Sequence, residues 1–339
     1  MTEMSDTIEL REREITEPVE LCLPNGRLNP DAVGWTRRAL HTTNLRGWGR
    51  NKRFEYWAIT GPDYIVVLNI SHHDYRSNVA IAYQSRTDGQ LIQEGGNIWF
   101  PRTAPLSDAA HPGEMVGRRG PLFVSLAEND EGVALRGDGE RLQIDLQVII
   151  PDDHDSMGVV VPWSDRRFQY TKKDNCLRVR GTFTVDGRTV TVTPEDRTYA
   201  VHDRGRGKWP YFTLWNWAAG CGEVGGHEIG LQFGGKWTDG TPSTENWIRI
   251  DGRLTKISEH LEWVYDPRDW MAPWQIRGRD IEVTLDPYKH DHHVFNRLIV
   301  LNRGDQVFGT WRGRVRDADG TWYSVDGLEG HTEEVQRRW

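Results

Sequence analysis

Residues 181–192 read GTFTVDGRTVTV, two alternating apolar/polar runs either side of Asp186-Gly187. An Asp-Gly pair placed between such runs signals a two-residue β-hairpin, because both central positions of that turn need positive φ. The turn fixes the register. Val185 should oppose Arg188 and Phe183 should oppose Val190, so that Phe183 and Val190 share a face. The same period-two pattern recurs along the chain, in YIVVLNISH (64–72), NVAIAYQS (78–85), LQIDLQVII (142–150), IGLQFGG (229–235), NWIRIDGRLTKI (246–257), DIEVTLDP (280–287), NRLIVLN (296–302) and GTWYSVDG (320–327). Further Asp-Gly turns stand at 88–89, 239–240, 251–252 and 319–320. No continuous apolar stripe at helical spacing accompanies them. The expectation is an all-β chain of two barrel or sandwich lobes, built of antiparallel strands with few short helices.

The turn-rich VTPEDRTYAV (192–201) suggests a boundary, giving an N-terminal β lobe over 1–196, with an extended polar arm, and a C-terminal tryptophan-rich lobe over 197–339. With 42 Lys and Arg against 50 Asp and Glu, the net charge is −8, which argues against a nucleic-acid partner. No apolar run approaches the ~18 residues of a membrane span. The acidic, polar start lacks the features of a signal peptide, and Cys22, Cys176 and Cys221 show no disulfide spacing, so a reduced, cytoplasmic protein is expected.

Tryptophan is the compositional outlier: of 16, 11 lie between Trp209 and Trp339. The segment VHDRGRGKWPYFTLWNWAAG (201–220) concentrates the chemistry. On a strand, Trp215 and Trp217 share a face and Asn216 takes the other. Such an indole wall suits a flat ligand or a carbocation. A carboxyl near it, Asp203 beside His202, would have its pKa raised by desolvation and could act as a general acid. The alternative is a surface ion pair of Asp203 with Arg204 or Arg206, and core tryptophans. Thr244-Glu245-Asn246 before Trp247 offers a second candidate acid or base, Glu245, with Asn246 and Trp247 beside it; here the alternative is a polar turn. Trp209 completes the set of candidate ligand contacts.

His290 and His292 of HDHH (290–293) would share a strand face as a two-ligand rung, with His72-His73-Asp74 as further ligand types. No Cys-rich or HExxH pattern supports a metal, and neither metal nor cofactor is expected. The ending GHTEEVQRRW reads as a closing strand with Glu333 and Glu334 paired to arginines and Trp339 as a candidate plug. No GxSxG elbow and no glycine-rich dinucleotide fingerprint is present.

Five stretches together with 201–220 carry a resemblance: GWTRRALHTTNLRGWGRNKRFEYWAI (34–59), HHDYRSNVAIAY (72–83), STENWIRIDGRLTKI (243–257), QVFGTWRGRV (306–315) and EGHTEEVQRRW (329–339). Their order and spacing resemble the family of domain of unknown function 2804. More distantly, the tryptophan-rich segment in a two-lobed β chain is similar to lipocalin-like carotenoid hydratases of the hydroxyneurosporene synthase type. This chain has His202-Asp203 upstream and Trp-Asn-Trp where that group pairs Asp with His just before the Trp. The second resemblance implies two barrel-like domains and an apolar ligand cavity. The function expected is cofactor-free acid catalysis on an apolar, isoprenoid- or polyketide-like small molecule, of hydratase, isomerase or cyclase type. The alternatives are a non-catalytic binding protein for a hydrophobic ligand, and a carbohydrate-active enzyme with paired carboxylates.

Overall fold

The computed structural model describes residues 10–101, 106–297 and 300–338, the side chains of 295–297 and 300 excepted. Trp339, the candidate plug, lies outside them. Every element among the described residues is a strand, apart from a single 3-10 turn at Pro30–Ala32. The hairpin at 186–187 has the register its turn dictates, Phe183 opposite Val190 and Val185 opposite Arg188. Asp186 and Gly187 take φ of +47° and +79°, and Asp251 and Gly252 +48° and +83°. At 88–89, 239–240 and 319–320 only the glycine has positive φ, so those pairs turn the chain in another way.

The chain divides into two compact units: residues 15–160 with 164–209, and residues 210–339 with 1–14 and 161–163. The first therefore runs through Trp209, beyond the 196/197 boundary that turn composition suggested. The strand Tyr199–Lys208 pairs on both sides within the first sheet, which holds it there.

In the first unit we label the main strands β1 (Asn51–Thr60), β2 (Tyr64–His73), β3 (Arg76–Ser85), β4 (Leu91–Trp99), β5 (Glu114–Arg119), β6 (Leu122–Asn129), β7 (Gly132–Asp138), β8 (Leu142–Ile149), β9 (Phe168–Val185) and β10 (Tyr199–Lys208). They run in the order β4-β3-β2-β1-β10-β9-β8-β7-β6-β5. The sheet curls into a nearly closed barrel, and Arg119 Nε of β5 reaches the Asn97 carbonyl of β4 at 3.4 Å. Inside, Ile59, Val66, Leu68, Ile81, Leu135, Val148, Val179 and Phe183 make an apolar core. Burying each such side chain contributes ~1.5–3 kcal/mol.

In the second unit the strands are β11 (Phe212–Val224), β12 (His227–Gly235), β13 (Trp247–Ile250), β14 (Arg253–Lys256), β15 (Glu262–Val264), β16 (Trp274–Arg277), β17 (Ile281–Arg297), β18 (Val300–Arg316) and β19 (Leu328–Arg338). Their order is β14-β13-β12-β11-β19-β18-β17-β16-β15, a half-barrel. The last strand, β19, enters between β11 and β18, so the two ends of this unit's sequence meet at the sheet's centre. Ala218, Leu231, Phe233, Ile248, Val283, Leu285, Val307 and Trp311 fill its concave face. All three cysteines are free, and burial pushes the Cys22 thiol up to about 11. Among the described residues no helix is long and apolar enough to cross a membrane.

Candidate functional site

Strand alternation sorts the candidate residues. On β10, His202, Arg204 and Arg206 share the inward face with core residue Ala200, and Asp203, Gly205 and Gly207 face outward. The outward glycines have a steric cause: a Cβ on Gly205 would collide with the Phe54 ring, and one on Gly207 with the Phe168 carbonyl. Asp203 accepts a hydrogen bond from the Thr171 hydroxyl at 3.0 Å and pairs with Lys173 at 3.3 Å, so its partner is neither Arg204 nor Arg206.

His202 belongs to a buried charged cluster in the barrel. Its Nε2 lies 2.8 Å from Glu55 Oε2 and its Nδ1 3.3 Å from Asp174 Oδ2. Trp57 stacks on its ring at 4.1 Å and 9°. Arg206 donates to the other Glu55 oxygen at 2.5 Å, with Arg204 at 3.5 Å. Asp174 also receives Lys172 at 2.5 Å and meets His154 at 3.2 Å. Burial raises the Glu55 pKa, but Arg206, the His202 hydrogen bond and Arg204 outweigh it and hold the group at about 2. Asp174 is likewise lowered: burial opposes, and Lys172 with the two histidines prevails. Arg204 donates to the carbonyls of Ala109 and Ala110, and Arg206 to those of Ser107 and Phe54. Glu55, Asp174 and Arg206 expose 1%, 0% and 0% of their side chains, which closes this cluster to a ligand.

Trp209 donates its indole N–H to Gln169 Oε1, and Lys52 lies 3.3 Å over its ring. Trp215 and Trp217 do share a face, the one opposite the half-barrel's apolar core. Trp215 donates to Glu333 at 2.9 Å and Trp217 to Gln232 at 2.7 Å. Trp247, opposite Gln232, joins them. Glu245 accepts from Trp237 Nε1 at 2.5 Å and lies against Gly234, where a Cβ would strike its carboxyl. Asn246 spends both ends on backbone, accepting from Gly234 N at 2.8 Å and donating to Glu259 O at 2.9 Å.

Asn216 stands apart, on the concave face. The register lays Gly235, Asn216, Glu334, Asp305 and His292 side by side across β12, β11, β19, β18 and β17. This is a polar row at one end of an apolar half-barrel. Lys236, at φ +67°, follows Gly235, and its Nζ lies 2.5 Å from both Glu334 Oε2 and the Tyr265 hydroxyl. Glu334 is thus paired with a lysine rather than an arginine. Tyr265 donates to Glu334 Oε2 and accepts from Asn216 Nδ2 at 3.2 Å as well as from Lys236.

Burial raises the Tyr265 pKa and the bond to Glu334 adds to it, so the phenol keeps its proton. Burial works against the Lys236 cation, but Glu334 and Tyr265 outweigh it and the pKa is raised. Rings wall the row: Tyr265 stacks on Trp274 at 3.9 Å and 3°, Trp270 lies 5.7 Å from Trp274, and His290 is 6.0 Å from Trp270. The indole N–H of Trp263 is set 2.7 Å from where a Gly235 Cβ would be. That N–H and Asn216 Oδ1 are buried with no hydrogen-bond partner among the described residues. Lys236 and Glu334 keep 33% and 18% of their side chains exposed. An open groove of about 600 Å³ is lined by Tyr265, Val264, Arg268, Pro273 and Gln275 among others, and of this network only Tyr265 reaches it. Of the catalytic and ligand-contact candidates read from sequence, only Asn216 sits here, beside the candidate metal ligands His290 and His292. Lys236, Tyr265 and Asp305 carry no local motif, and Glu334 read as half of an ordinary strand-end ion pair.

The fold has known counterparts. An AttH candidate from Nitrosomonas europaea aligns over 85% of this chain and 92% of its own at 10% identity, TM-score 0.50. CghA in complex with Sch210972 aligns over 86% and 89% at 11% identity, TM-score 0.52. Kievitone hydratase from Nectria haematococca covers 86% and 89% at 10% identity, TM-score 0.46. At these identities the first two are likenesses of fold. Among curated proteins none matches the chain. The model of domain of unknown function 2804 matches residues 12–339, nearly the whole two-unit chain, and the protein belongs to that family.

Proposed function

We propose that the protein is an acid–base enzyme acting on a small, largely apolar molecule, of hydratase or isomerase type, at the polar end of the second unit's half-barrel. The observation that carries this reading is the Tyr265 hydroxyl, which donates to Glu334 and accepts from Lys236 and Asn216. A phenol so placed can give up its proton, because a lysine cation and an amide N–H already face the oxygen on which charge develops. In a hydration, Tyr265 protonates an alkene carbon and the tyrosinate is held by Lys236. Trp270 and Trp274 face the cation with their rings. Water adds, its proton passes to Glu334, and the Tyr265–Glu334 hydrogen bond returns that proton to the phenolate. The unpaired Trp263 N–H and Asn216 Oδ1 suit a ligand oxygen that needs orienting.

The structure of CghA with Sch210972, a likeness of fold, supports a ligand-binding reading of this chain. Glycoside hydrolysis fits less well. It uses two available carboxyl groups, and Asp305, opposite Glu334, is taken up by His290, His292 and Arg303.

The test is incubation with a panel of isoprenoids and aromatic polyketides, read by mass spectrometry for gain of water or a shift in retention. Wild type should convert at least one compound, and Tyr265→Phe should still bind it while turnover falls ~10²-fold or more. A Tyr265→Phe variant as active as wild type would remove the proposed acid. Saturable binding with no conversion across the panel would leave a binding protein in place of an enzyme.

A further inference from the structure

On the β17–β18 hairpin, His290 and His292 project from alternate positions onto the concave face, and Asp305 stands directly opposite His292. His290 Nε2 and His292 Nδ1 converge on one oxygen, Asp305 Oδ1, at 3.0 and 2.6 Å. One ligand atom from each of the three side chains falls within a 4.8 Å span. We propose that these residues form a binding site for a divalent transition-metal ion, Zn²⁺ in the first instance. The site is independent of the acid–base reading above.

Two imidazoles and a carboxylate are the donor set of open zinc sites, where three protein ligands leave a position for water or ligand. Tetrahedral bonds of ~2.1 Å set ligand atoms about 3.4 Å apart, so the His290 and His292 nitrogens need to draw back from Asp305 Oδ1 by about 0.4 and 0.8 Å and to close on each other by no more than about 1.4 Å. The surroundings hold the ligands in place. Asp305 is 1% exposed, and its second oxygen accepts from Arg303 Nε at 3.2 Å, an outer contact of the kind that orients a ligating carboxylate. Trp270 lies 6.0 Å from the His290 ring. The His292 side chain is 48% exposed, so an ion can enter from that side. Arg303 brings a positive charge to the carboxylate, which reduces affinity without occupying Oδ1. Sequence alone showed the two histidines. The third ligand becomes visible only through the hairpin register.

The experiment uses the full chain, purified without an affinity tag and stripped with chelator, then titrated with ZnCl₂ by calorimetry and with Co²⁺ by visible absorption. One Zn²⁺ per chain is expected, together with Co²⁺ bands of a low-coordinate nitrogen/oxygen site. His292→Ala should weaken Zn²⁺ binding by at least ~10- to 100-fold and abolish the bands, since even outer-shell losses reach that size. His290→Gln should do the same. His293→Ala should change neither readout, because that ring lies against Gly304 on the other face. Circular dichroism establishes that each variant is folded. Absence of saturable Zn²⁺ uptake, or uptake by folded His292→Ala and His290→Gln equal to wild type, would overturn the site and leave a metal-free ion-pair cluster.

Discussion

Each unit places charged side chains on the inner face of its sheet, and the two clusters are finished differently. In the barrel, Glu55 and Asp174 are ringed by Arg206, Arg204, Lys172, His202 and His154, and the backbone carbonyls of Ser107, Ala109 and Ala110 accept further donors of the two arginines. In the half-barrel, Lys236, Tyr265, Glu334 and Asn216 are bonded to one another, and Lys236 and Glu334 stay partly exposed. Charge inside a β-protein is therefore a poor guide to function by itself. Access separates a cluster that fixes the fold from one that can meet a ligand.

The largest expected effect falls on the closed cluster. Glu55→Gln leaves Arg206 buried without its counter-ion, and should cost ~3–5 kcal/mol in urea unfolding. A loss under ~1 kcal/mol would mean that water reaches this cluster, and the contrast would fail. Next comes Tyr265→Phe, for which a ~10²-fold fall in turnover corresponds to ~2.7 kcal/mol of barrier. Its folding stability should change by no more than ~1.5 kcal/mol, the net worth of the lost hydrogen bond.

The pH dependence should separate the clusters by sign. Glu55 is depressed from 4.5 to about 2, so its contribution is complete above pH 4.5 and is lost as pH falls toward 2. Buried His41, lowered from 6.5 to about 4 by desolvation, adds a loss that starts below pH 6.5. In the half-barrel, Lys236 and Tyr265 are both raised, so their contribution holds at neutral pH and is lost as pH climbs past 10. Unfolding free energies across pH should show the acid limb flattened in Glu55→Gln and the alkaline limb flattened in Tyr265→Phe. Exchange of those two signatures would reverse the assignment.

The smallest effect on turnover is expected at Asp203. Its partners Thr171 and Lys173 lie on the face away from the barrel's apolar core but are buried, at 2% and 5% exposure, so Asp203→Asn should cost about 1–3 kcal/mol of stability and leave turnover unchanged. A large fall in turnover with the fold intact would return Asp203 to the role that its place beside His202 suggested.

What the sequence could disclose follows from how each feature is encoded. The Phe183–Val190 register is local, written by one turn and two alternating runs, and is present as read. That Trp215 and Trp217 share a face is also local. Which face is not, because strand β11 is buried on both sides from Asn216 to Gly220 and hydrophobicity does not mark the core. In β10 the same ambiguity takes another form. In HDRGRGK polar residues alternate with polar residues or glycine, so period two separates His202 from Asp203 without saying which points inward. The Lys236–Tyr265–Glu334–Asn216 group depends on β19 pairing with β11, a contact between residues more than 110 positions apart that no short motif announces.

Photoaffinity labelling tests the location of the site most directly. An isoprenoid carrying a diazirine is irradiated with the full chain, with and without excess unlabelled compound, and the modified peptides are mapped. Competed labelling is expected in the segment from Trp263 to Trp274 and on β19 near Glu334. It should be weakened in Lys236→Ala, which opens the network without truncating a ring. Competed labelling confined to the face of Trp217, Trp247 and Glu245, or to the barrel around His202, would contradict the placement. So would the absence of any competed label.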